Sequence, residues 1–196
     1  MKGFQDMKKL FSNLLNSKEQ EIKMVDSYKN WRKTIFSLKP ENAQVSSKDV
    51  DCVFGILMDD VQLDKGSNTI WGISQTVFAS GESSLKSTVG LGVIGLGVGE
   101  NEEKIYQAGQ QLIELAQQLF DSAIKTEDYS LPKLNVIRFF FLTTSGTYFL
   151  ESHIDKIEQG DNRMFEMLKG FIFIRKYAES LIAQAKKQNP EKFSSS

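Results

Sequence analysis

Apolar positions along this chain switch between helical spacing and strand-like runs, and a turn signal marks most of the switches. From Phe4 to Leu15 the residues Phe4, Met7, Phe11 and Leu14 recur every three or four positions. Met24, Tyr28, Trp31, Ile35 and Leu38 repeat that spacing more strictly until Lys39-Pro40 ends it. Residues 1–40 therefore predict an N-terminal amphipathic helical segment, as two helices or as one broken near Asn16. Polar residues from Pro40 to Asp49 predict a linker. Val53 to Met58 is apolar on both alternating faces, as an interior strand requires. Asp64, Gly66 and Asn68 signal a turn, after which Ile70 to Ala79 alternates with Trp71, Ile73, Val77 and Ala79 on one face. A second turn at Ser80-Gly81-Glu82 leads to a third strand beginning at Ser84.

That third strand carries five glycines, Gly90, Gly92, Gly95, Gly97 and Gly99. Glycine weakens a strand interior, so a cluster implies that other backbone, a ligand or a partner must come close there. The alternation also slips. Val89, Leu91 and Val93 share one parity, whereas Ile94, Leu96 and Val98 take the other. A β-bulge between Val93 and Ile94 restores one apolar face and one glycine face, and a tight turn is the competing reading. Glu100 to Lys125 predicts a helix with a stripe of Ile105, Ala108, Leu112, Leu115, Ala116, Leu119 and Ala123, its acidic start suiting the helix dipole. Leu134 to Leu142 and Thr147 to Leu150 predict a hairpin across Ser145-Gly146. A short helix over 152–159 and a long one from Asp161 or Asn162, with Met164, Leu168, Phe171, Ile174, Ala178, Leu181, Ile182 and Ala185 on a broad face, close the pattern. Residues 189–196 predict a frayed tail.

The resulting expectation is an α+β fold. An antiparallel sheet of about five strands carries helices on at least one face, in a domain spanning 50–188 behind the N-terminal helical segment. The 196 residues suffice for one such core, and 40% hydrophobic with 25% charged residues is ordinary for a globular chain. Lys and Arg number 24 against 25 Asp and Glu, so no basic excess points to nucleic acid. One cysteine, Cys52, and one histidine, His153, exclude an internal disulfide and a Cys/His zinc centre of four ligands. No secretion-type or membrane-spanning apolar run occurs, since Phe171 to Ile174 stops at Arg175-Lys176. A cytoplasmic protein without cofactor or metal is the expectation.

The candidate chemistry is sparse. Gly90-x-Gly92-x-x-Gly95 has the spelling of a dinucleotide loop, but the helix begins only after Gly99 and opens on Glu100, Glu102 and Glu103, which repel a pyrophosphate. Asp59, Asp60 and Asp64 match no calcium-loop spacing and predict a solvated hairpin turn. His153 has Ser145 and Ser152 nearby in sequence, but neither lies in a nucleophile-elbow motif. No catalytic residue is assigned. Arg138 stands out because it interrupts a strand apolar on both faces, and a buried guanidinium must find a carboxylate or several carbonyls. Gly92, Gly95, Gly97, Gly99 and Arg138 are accordingly the candidate ligand- or partner-binding residues.

Two segments, Val53-Phe-Gly-Ile-Leu-Met-Asp59 and the stretch from Ser84 to Gly97, resemble an uncharacterised family of small bacterial proteins. Those chains similarly carry a Gly-x-Leu-Met-acidic strand, then a Ser-Thr-Gly-rich stretch before a helix. The resemblance spans about residues 52–150 and implies a bacterial, cytoplasmic, single-domain protein, with no activity or site residue to carry over. The leading expectation is a non-enzymatic protein–protein interaction or regulatory domain. It would bind a protein partner or itself, since Tyr28, Trp31 and Ile35 need cover. The alternative is a protein binding a small anionic ligand or nucleotide, or an enzyme, through the glycine segment and Arg138.

Overall fold

The computed structural model describes residues 22–45, 51–64, 66–99, 102–159 and 162–188. The predicted helix over 4–15 and the tail 189–196 lie outside the described residues. A seven-stranded antiparallel sheet forms the body, in the order β4-β3-β2-β1-β6-β7-β5. Its strands are β1 (Val53–Asp64), β2 (Thr69–Phe78), β3 (Ser83–Ser87), β4 (Gly92–Leu96), β5 (Ile124–Lys125), β6 (Val136–Thr143) and β7 (Gly146–His153). The helices are α1 (Asp26–Phe36), α2 (Glu103–Leu119), α3 (Ile154–Gln159) and α4 (Asn162–Gln188). The α+β class and the antiparallel sheet agree with the sequence pattern. The strand count of about five does not, and two local causes account for the excess.

The predicted third strand is a hairpin. A turn at 88–91, with Gly90 at φ +96°, folds it into β3 and β4. The remaining extra strand, β5, comes from the predicted helix over 100–125. That helix ends at Leu119, and a 3-10 turn at Phe120–Ser122 lets Ile124-Lys125 pair with β7. The bulge exists, displaced to Gly95. Ser83 pairs with Leu96 and Ser84 with Ile94, so Gly95 is the extra residue, at φ +81°. Its consequence is that Val93 and Leu96 both join the core while Ile94 points outward, 61% exposed.

Helices cover both faces. On one face α2 and α4 bury Ile105, Leu112, Ala116, Phe171 and Ile174 against Ile56, Met58, Val77, Phe139 and Phe141. On the other, α1 and a 3-10 turn at Pro40–Ala43 seal Leu57, Phe78, Phe140 and Leu142 with Ile35 and Ala43. The predicted linker thus contributes a buried alanine. Tyr28 is fully buried and Ile35 is 6% exposed, so the cover these residues need comes from the chain's own sheet. Oligomerisation need not supply it. Among the described residues no helix is long and apolar enough to cross a membrane.

Candidate functional site

Two adjacent aspartates in the central strand β1 point to opposite faces, and each meets an arginine from a helix on its side. Asp59 is fully buried beneath α1. Arg32 Nη1 and Nη2 donate to its two oxygens at 2.7 and 2.5 Å, a bidentate fork, Nη1 also donates to the Ser74 hydroxyl at 3.0 Å, and Nη2 and Nε reach the Tyr129 carbonyl at 2.8 and 3.2 Å. The Ser74 hydroxyl donates to Asp59, so the Tyr28 hydroxyl, 2.6 Å away, donates to Ser74 in turn. Burial, reinforced by the Asp59 charge, pushes the Tyr28 phenol up to about 12. Burial works against the Arg32 charge, but Asp59 more than offsets it and the guanidinium is held more firmly protonated. On the opposite face Arg175 of α4 donates to Asp60 at 2.9 Å and to Gln75 at 2.9 Å, while Gln62 donates to Asp60 at 2.6 Å.

The solvated-turn reading therefore fails for Asp59 and Asp60. Strand β1 runs on to Asp64 in register with Thr69, which carries both residues into the sheet interior, and only Asp64 caps the turn, through Gly66 and Ser67. Arg32 and Arg175 were missed as partners. The signal was present: Arg32 lies four residues after Tyr28, and Arg175 four after Phe171, on the stripes that face the sheet. Both clusters are satisfied internally. They fasten α1 and α4 to one strand from opposite sides.

Arg138, on the α1 face of β6, finds the partners its burial demands. Its Nε donates to Glu151 at 2.8 Å, Nη2 lies 2.7 Å from the same carboxylate, and Nη1 donates to the Ser130 carbonyl at 3.0 Å. The guanidinium also lies over the Phe149 ring at 5.2 Å. Four strand spacings, about 19 Å, separate β6 from β4, so the fold does not bring Arg138 to the glycines. His153 pairs with Asp155 at 3.3 Å on the surface, while Ser145 Oγ lies 3.2 Å from Thr143 Oγ1.

The glycines divide by role. Gly97 has φ +88°, and a Cβ there would overlap the Gly81 carbonyl oxygen, so close backbone approach explains it. Its N–H donates to the Glu102 carboxylate at 2.6 Å, and that of Gly99 does so at 3.4 Å. The backbone N–H groups ahead of α2 are thus taken up by the chain's own glutamate. Gly95 faces open space, with nothing within 4 Å of a built Cβ. No helix packs on it, and its positive φ at the bulge accounts for it. The close helix packing lies elsewhere, where Gly170 of α4 admits Leu112 of α2 at 2.8 Å from a built Cβ.

Around the glycines lies a concentration of exposed apolar side chains. Val89, Leu91, Ile94 and Val98 are 58, 44, 61 and 64% exposed. Among the described residues strand β4 is an edge of the sheet, paired with β3 alone, and from Ser87 to Gly99 no residue carries a charge. Beside it, between α1 and β4, a cavity of about 240 Å³ is lined by Trp31, Ile35, Phe54, Phe78, Ser84 and Ile94. Free strand edges usually carry lysine, proline or another guard against pairing, and this one has neither lysine nor proline, only its bulge and its five-residue length. No protein-family model, curated protein or solved structure matches the chain.

Proposed function

We propose that this chain is a non-enzymatic protein-interaction domain that takes an extended segment of a partner protein as an added strand along β4. The observation that carries the reading is the uncharged edge strand with Ile94 turned outward. Backbone groups on its free side offer the hydrogen bonds of strand addition, and the cavity beside Ile94 offers a socket for one apolar side chain of the incoming segment. The anionic-ligand alternative has less support, because Glu102 already occupies the Gly97–Gly99 donors and Arg138 is paired four strands away. The lone Cys52 suits a cytoplasmic setting.

Panning a random peptide library against the wild-type chain tests this. Extended, β-prone peptides with an apolar anchor should be enriched. Ile94→Lys should abolish their binding while changing stability by no more than about 0.5 kcal/mol, since the side chain is exposed. Peptides that bind the Ile94→Lys chain as well as wild type would refute the edge as the docking site.

A further inference from the structure

One row of cross-strand neighbours on the α1 face crosses the sheet as Glu151, Arg138, Asp59, Ser74, Lys86 and Gly92, from β7 to β4. Its charges are matched up to the last. Arg138 pairs with Glu151 and Asp59 with Arg32, whereas among the described residues no carboxylate pairs with Lys86. The Lys86 side chain is half-buried and leans toward the edge, since a Cβ built on Gly92 would stand 3.2 Å from Lys86 Cγ. That Cβ would also overlap the Leu85 carbonyl oxygen, so position 92 is glycine for want of room and not for its φ. No β4 side chain in this row therefore stands between the lysine and a strand added beyond β4.

We infer that the partner segment carries a glutamate or aspartate two residues from its apolar anchor, set across Gly92 where the carboxylate meets Lys86. The inference rests on strand addition at β4 and names the chemistry of the segment added. The Ser87 N–H donates to the Leu91 carbonyl at 2.8 Å. Alternation along the strand then turns the N–H and C=O of Leu91 and Val93 toward β3, and those of Gly92 and Ile94 outward. Partner residues opposite Gly92 and Ile94 therefore share one face, the face on which Ile94 borders the socket. Two strand spacings, roughly 10 Å, separate β3 from the added strand, a gap that a lysine stem and a glutamate side chain close together across a glycine. Glu82 and Lys39 both border the socket, so the anchor meets charges of both signs and the preference for acid belongs to the Gly92 row. In antiparallel addition, the direction of every pairing in this sheet, the segment reads apolar-x-acidic from its N-terminal side.

Panning one random peptide library against the full-length wild type and against Lys86→Glu tests the charge. Peptides selected on wild type should carry Glu or Asp two positions after the apolar anchor, and Lys86→Glu should select Lys or Arg there. In a synthetic peptide from the wild-type pool, changing that acid to lysine should weaken binding to wild type by roughly fivefold at low salt, and by less at high salt. Lys86→Met, which keeps the stem and loses the charge, should bind the two peptides alike. Acidic and basic peptides bound equally by wild type, with binding still abolished by Ile94→Lys, would overturn the acidic partner and leave strand addition standing. Peptides indifferent to Ile94→Lys would overturn both.

Discussion

Removing one member of the Arg32–Asp59 pair should cost far more than removing both. In Asp59→Leu, a guanidinium in a residue only 7% exposed loses both charge-assisted bonds and keeps only the Ser74 and Tyr129 oxygens for its five N–H groups. In Arg32→Met, a fully buried carboxylate keeps the Ser74 hydroxyl alone. Breaking a buried pair in this way costs about 3–5 kcal/mol, against a total stability of about 5–15 kcal/mol for a typical domain. Arg32→Met with Asp59→Leu leaves an apolar pair among the rings of Phe36 and Phe140, over which the guanidinium now lies at 5.1 and 5.7 Å. The double variant should therefore be more stable than either single variant. Urea unfolding followed by circular dichroism reads the order, with an unchanged m-value as the check that the states compared are the same. A double variant lying at the sum of the two singles would mean that Arg32 and Asp59 do not meet in solution. The docking of α1 on the sheet would then be wrong.

Two further outcomes follow from geometry already described. Tyr28 should lend the fold an alkaline limit: its phenol rises from 10.0 to about 12, so the associated stability, about 3 kcal/mol, is present below pH 10 and is lost as pH climbs through about 12. Tyr28→Phe should lack that component in urea unfolding compared at about pH 9 and about pH 11. Gly97→Ala should cost more than Gly95→Ala, because both have positive φ but only Gly97 would drive a Cβ into backbone. Strain alone costs about 1–2 kcal/mol at Gly95, and overlap adds about 1–3 kcal/mol at Gly97, so a thermal melt should separate the two variants by several degrees. Equal melting temperatures would exclude the Gly81 contact.

The helical stripes and the interior character of β1 were legible because burial on a repeating face leaves a periodic trace. Met164, Leu168, Phe171, Ile174 and Ala178 read as one face of α4 and are buried as one face. Two kinds of feature left no such trace. A hairpin hidden in a continuous apolar run looks like one strand, since Val89 and Leu91 are as hydrophobic as their neighbours yet stand in a turn. Buried charge is the other. Asp59 and Asp60 follow an apolar strand and read as its polar end, because local sequence cannot show arginines 27 and 115 residues away. Arg138 was legible as a residue in need of partners, but which partners depended on β7 and on the loop around Ser130.

The same glycines bear on why an edge as apolar as β4 can remain available without inviting open-ended pairing. A long, flat, uncharged edge templates aggregation, whereas a short one with a bulge limits the register over which another strand can pair. Here β4 is five residues long, and Gly95 breaks its alternation one residue from its end. An incoming strand thus meets only a short regular ladder, Gly92 to Ile94, before the bulge turns the backbone. Backbone bonds over so few residues give little selectivity, so discrimination would fall to the side-chain socket between α1 and the edge. That socket exists because α1 is fixed at its height above the sheet by Arg32 on Asp59. On this argument the buried pair and the exposed edge are energetically linked. Variants that loosen α1 should weaken peptide binding even though Arg32 and Asp59 lie two strands away from β4 or farther, an effect that Asp60→Leu on the opposite face should not reproduce.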